Sequence, residues 1–167
     1  MNPRSPFPVA LFITLGLLAA PNAIADLGVE KVNKTSGKPG ERVALTLGCG
    51  ACSAARGQAA ASFPVSLVPA GKVPMPHRCG PNALCPPRVR AVPKQAPFTY
   101  LGEALPIRGD EDADKPYPLY ILDFAIPRLP AGTYTYVIYC GLCLDGKGGA
   151  LIADPTVGPR WRLRVRR

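Results

Sequence analysis

Two stretches of this chain end a strand-like apolar run in the same four-residue pattern. They are A-L-T-L-G-C-G-A-C-S (residues 44–53) and Y-V-I-Y-C-G-L-C-L-D (residues 136–145). Cys49, Cys52, Cys140 and Cys143 could do three kinds of chemistry. A dithiol can shuttle electrons, but that needs a thiolate stabilised by a helix N-terminus or a nearby cation. Here both motifs leave strands, and Gly, Ala and Leu are the neighbours. Four thiolates match the ligand count of a structural zinc site. Disulfides are the third possibility. Cys79 and Cys85 bring the total to six, and an even count in an exported chain implies three bridges. Disulfides are the preferred reading, with no metal and no cofactor; metal binding or thiol redox at the two C-G-x-C motifs is the alternative.

The end of the chain, P-R-W-R-L-R-V-R-R, alternates strictly. Arg160, Arg162, Arg164 and Arg166 share one face, and Trp161, Leu163 and Val165 share the other. Such a strand has either a merely solvated outer face or a basic stripe for an anionic polymer or surface. Net charge is +9. Asp110, Glu111, Asp112 and Asp114 suggest calcium, but Lys115 stands where an EF-hand loop needs Gly and Ile121 where it needs Glu. A solvated loop is expected there. His77 lies in a proline-rich stretch with no acid beside it, and Asp123 interrupts an apolar run as an outward-facing residue would. No G-x-S-x-G nucleophile motif occurs. No catalytic site is expected.

The elements around these residues belong to an exported protein. Arg4, the apolar run Val9–Ala20 and Ala23-Ile24-Ala25 form a secretory signal peptide cleaved after Ala25. No later run is long enough to span a membrane. Residues 26–167 suffice for one domain of ordinary size. With 21 Pro and 17 Gly set between short apolar runs, the pattern is all-β. Strands are expected over 27–32, 41–49, 63–68, 98–101, 117–126 and 133–140, with closing strand segments over 150–153 and 161–166. Lys38-Pro39-Gly40-Glu41 is a type II turn. Val43, Leu45, Leu47 and Cys49 form one core-facing row; Tyr134, Tyr136, Ile138 and Cys140 form another. Residues 69–97 are a proline-rich loop, tied by Cys79 and Cys85.

The run L-P-A-G-T-Y-T-Y-V-I-Y-C (129–140) resembles the turn and penultimate strand of immunoglobulin-like and fibronectin-like domains, with Tyr134 as the tyrosine of their corner. Cys140 stands six residues beyond this Tyr rather than two. The resemblance implies an antiparallel β-sandwich of about seven strands, disulfide-stapled, whose second and sixth strands face each other. If those carry Cys49 and Cys140, the bridges are Cys49–Cys140, Cys52–Cys143 and Cys79–Cys85. The alternative closes each C-G-x-C on itself. The same region is similar to the copper loop of cupredoxins, but residues 141–155 hold neither the His nor the Met that such a loop supplies. The expected function is a non-enzymatic binding or structural module at the cell envelope. Its partner would be a protein or an anionic envelope polymer, not nucleic acid.

Overall fold

The computed structural model describes residues 27–50, 62–81, 83–107, 117–141, 143, 149–154 and 158–167. The segment expected to be a signal peptide, Cys52 and the acidic stretch from Asp110 to Asp114 lie outside the described residues.

The chain begins with β1 (Leu27–Val32), β2 (Ser36–Gly37) and β3 (Arg42–Cys49). In β3 the alternation is realised side chain by side chain: Val43, Leu45, Leu47 and Cys49 are fully buried, because one face of the strand packs on a core and the other on solvent. The β2–β3 turn is of the expected kind. Glu41 N–H donates to Lys38 O at 3.1 Å, and Gly40 takes φ +90°, a conformation open to glycine and costly for other residues.

β4 (Phe63–Pro69) is followed by the hairpin β5 (His77–Gly80) and β6 (Ala83–Cys85), then by β7 (Arg88–Val89), β8 (Thr99–Pro106) and β9 (Leu119–Ala125). The remaining strands are β10 (Gly132–Cys140), β11 (Gly149–Ile152) and β12 (Arg162–Val165). The longer strands are those the sequence pattern implies. The short ones, β2, β5, β6 and β7, fall in stretches expected to be loop. Residues 69–97 are thus partly ordered as strand.

Two layers result. β1, β3 and β9 pair in sequence with the end of β8. The start of β8 pairs β4, which pairs β10. β8 therefore belongs to both layers. It bends where its register shifts opposite Val65 and Ser66, at Gly102 (φ +141°), as a bulge at a sheet corner does. On its other edge β10 pairs β12 through Gly132–Thr135 and β11 through Ile138–Cys140. β12 in turn pairs β2 in parallel, and residues 33–35 join β2 to β1. Following the pairings therefore leads round a flattened ring.

The core lies between the layers. Leu45, Leu47, Tyr120 and Phe124 from one layer meet Phe63, Leu67, Tyr136, Ile138 and Leu163 from the other in a single buried cluster. Phe63 and Tyr120 pack edge to face, 4.6 Å between ring centres. A second, smaller cluster forms on the outer face of β4, β10 and β11. There Val68, Val137 and Leu151 are covered by Val89 and Phe98 from the proline-rich segment. That cover explains why β10 is buried on both faces from Tyr134 to Ile138.

Candidate functional site

β3 and β10 carry Cys49 and Cys140 to one pole of the sandwich. The β4–β10 register, with Ile138 opposite Val65, places Cys140 at the level of Phe63. Phe63 packs on Tyr120, and Tyr120 lies opposite Leu47, two residues before Cys49. Cys49 and Cys140 are both fully buried in the main core cluster. They are not joined to each other.

Cys140 is bonded to Cys143, with Cα atoms 5.4 Å apart. This corrects the Cys49–Cys140 and Cys52–Cys143 pairings and favours closure of C-G-L-C on itself. The physical reason is proximity along the chain: Cys143, three residues on, lies within the roughly 7 Å Cα reach that a disulfide needs. Cys49 and Cys140 share a core cluster with the edge-to-face pair Phe63 and Tyr120. Cys49 is also disulfide-bonded; Cys52 is outside the described residues. Cys79–Cys85 is formed as expected, with a Cα separation of 5.7 Å, and it ties the β5–β6 hairpin. Among the described residues, no group of three or more His, Cys, Asp and Glu side chains is arranged to hold a metal.

His77 is exposed on β5, opposite Cys85. Asp123 is exposed on the outer face of β9, opposite Ala44, as its place in the alternation implies.

At the other end of β10 stands the arginine strand. Trp161, Leu163 and Val165 point into the core at 4%, 0% and 2% exposure. Arg160, Arg162, Arg164 and Arg166 are all exposed. The strand is fixed on both sides. It pairs β10 through Leu163 opposite Tyr134, and its far edge is held by Arg164 N–H to Thr35 O and Arg166 N–H to Gly37 O, each 2.8 Å. That parallel partner, β2, was hidden inside an expected loop.

An open depression of about 530 Å³ lies where Gly132 and Thr133 meet Arg164, Arg166 and Arg167. Glu41 feels the charge of Arg166, one of the lining residues. Its carboxyl is held below the usual range, first by the Lys38 backbone N–H and then by Lys34, with the Arg166 charge adding. Lys34 Nζ donates to it at 3.3 Å. The arrangement can hold an anion by charge-assisted hydrogen bonds from guanidinium groups.

Near the same end, Tyr134 Oη donates to Pro130 O at 2.9 Å, pinning the turn that launches β10. No helix among the described residues is long and apolar enough to cross a membrane. Comparison with protein-family models, with curated proteins and with solved structures returned no match to this chain.

Proposed function

We propose that this chain is an exported, non-enzymatic sandwich of immunoglobulin-like type that binds an anionic partner at the cell envelope through β12. The observation that carries the reading is the strict division of that strand. Leu163 and Val165, with Trp161 of the preceding turn, seal the core, while Arg162 and Arg164 on the strand and Arg160 and Arg166 beside it face solvent. Neighbouring like charges repel one another, and an anionic partner turns that repulsion into attraction.

The layering supports the immunoglobulin-like assignment. β1, β3, β9 and the end of β8 follow the A-B-E-D arrangement of such domains, and β4, β10 and β11/β12 follow C-F-G. The Tyr134 hydrogen bond to the turn four residues upstream has the form of a tyrosine corner. Export is supported by the character of residues 1–25 and by the disulfides, which persist in oxidising compartments.

The test is retention on immobilised heparin, a linear polyanion, with protein purified from an oxidising compartment. The variant R160S/R162S/R164S/R166S should elute at much lower salt while keeping its β-sheet circular dichroism. Equal retention of the two proteins removes β12 as the binding surface.

One observation favours a second reading, thiol exchange. The bridge inside C-G-L-C is local and its Cys143 is only partly buried. A partner thiolate attacking Cys143 Sγ would form a mixed disulfide and release Cys140 as a thiolate. Titration with dithiothreitol separates the readings, since a bridge that resists reduction until the protein unfolds has only a structural role.

A further inference from the structure

The open depression at the start of β10 is bordered by three cations, Arg164, Arg166 and Arg167, and by the Thr133 hydroxyl. Thr133 lies opposite Arg164 in the β10–β12 pairing. Alternation puts Arg166 on the same outward face, two residues beyond Arg164. All four side chains are exposed. The main chain beneath them is fixed, since Arg164 N–H donates to Thr35 O and Arg166 N–H to Gly37 O, each at 2.8 Å.

Among the described residues, no ion pair engages Arg164, Arg166 or Arg167. Glu41 is the acid on which the Arg166 charge acts. Its carboxylate is already taken up by Lys38 N–H at 3.1 Å and by Lys34 Nζ at 3.3 Å. Three guanidinium groups thus border one depression with no carboxylate bound among them.

We propose that this depression is a specific site for one phosphate monoester group, carried by a sugar or a lipid. The proposal rests on the reading of β12 as an anion-binding strand and names the anion. Two residues apart on one face, Arg164 and Arg166 have Cα atoms about 6.6 Å from each other. That spacing lets two planar forks hold a single tetrahedral group from two sides. A carboxylate has only two oxygens, and one fork fills them. A phosphate monoester offers three strong acceptor oxygens and a charge of about −1.5 to −2 at pH 7. Three arginines and a hydroxyl donor match that demand. A phosphodiester carries a single charge and has an oxygen fewer to offer. At about 530 Å³, the depression has the size of a site for one small ligand.

The test is an NMR amide-shift titration of the disulfide-intact protein with methyl phosphate, dimethyl phosphate and acetate at constant ionic strength. Methyl phosphate should shift the amides of Thr133, Arg164 and Arg166 saturably. It should bind at least about tenfold more tightly than the other two anions. R164S/R166S should weaken it at least about tenfold while the amide spectrum stays dispersed. Should that variant fail to fold, Thr133→Glu sets a carboxylate in the depression from an exposed position and should weaken binding as much. Glu41→Gln removes a competing charge and should tighten binding roughly twofold. Equal affinity for the three anions, or shifts confined to other parts of the chain, overturns the site. If the four-arginine variant loses heparin retention while R164S/R166S binds methyl phosphate normally, this site falls and the β12 reading stands. If R164S/R166S loses methyl phosphate while heparin retention is unchanged in the four-arginine variant, the polymer reading falls and this site stands. Cosedimentation with phosphatidic acid vesicles that Thr133→Glu abolishes assigns the ester to a lipid. Binding of glucose phosphate without such cosedimentation assigns it to a sugar.

Discussion

Tyr136 is fully buried, and its Oη has no hydrogen-bond partner among the described residues. Its ring packs edge to face on Phe124, 6.3 Å between centres. Tyr136→Phe keeps that ring contact and removes only the hydroxyl. In the unfolded chain the hydroxyl is hydrogen-bonded to water, so burying it without a partner costs about 1–3 kcal/mol. The variant recovers that cost. A hydroxyl-sized gap of about 15 Å³ would return about 0.4 kcal/mol of it, at ~24 cal/mol per Å³ of cavity. The net expectation is a gain of about 1–2 kcal/mol, or several degrees in Tm for a domain of this size.

The pH dependence adds an independent check. Burial raises the Tyr136 phenol far above its ordinary value of 10.0, and burial also raises Tyr120. Below pH 10 both states hold the proton, and stability is unaffected by it. As pH rises above about 10 the unfolded phenol ionises while the folded one does not, so stability falls by up to about 1.4 kcal/mol per pH unit for each such group. The Phe variant loses one of these contributions, so its advantage over the parent should widen between pH 10 and 11. Urea denaturation followed by circular dichroism at pH 7, 10 and 11 measures both effects. Destabilisation by 1 kcal/mol or more at pH 7 would refute the reasoning, since it would mean the hydroxyl is satisfied, for instance by a buried water.

Replacing both cysteines in C140S/C143S should cost about 2 kcal/mol by the loop-entropy relation for so short a loop. A bridge spanning the layers would have been worth about 4–5 kcal/mol on the same relation, so chemical denaturation distinguishes the two pairings energetically. Tyr134→Phe removes the hydrogen bond to Pro130 O and should cost about 1 kcal/mol, read as a lower urea midpoint with unchanged slope. A change below 0.3 kcal/mol would mean that water replaces this bond without loss.

The rows in β3, β9, β10 and β12 were legible because each of these strands faces a core on at least one side, and period-2 burial leaves its mark on residue type. β5, β6 and β7 left no such mark. The hairpin is held by Cys79–Cys85 rather than by an apolar face, and β7 is too short to show a period. β8 is longer than expected, running through a bulge at Gly102 and ending at Pro106. The cysteines show a different limit. Phase along a strand says which face Cys49 and Cys140 occupy, and both are buried as it implies. It says nothing of the distance across the core, where Phe63 and Tyr120 stand between the layers. Likewise the arginines on and beside β12 could be read from alternation. The addition of β7 to β11 could not, because a two-residue strand shows no period.

The ring of pairings has a consequence for how copies of this protein meet. Unpaired strand edges are templates on which other chains can add, and sandwiches commonly leave such edges at their sides. Here β8 closes one side by bonding in both layers. On the other side β2 lies along β12, and β1 ends in a register irregularity beside exposed Lys31. The branch that leaves the ring ends in the two residues of β7, where Arg88 on every copy repels its counterpart. The fold thus defends itself against edge-to-edge polymerisation with an edge strand that is both short and charged.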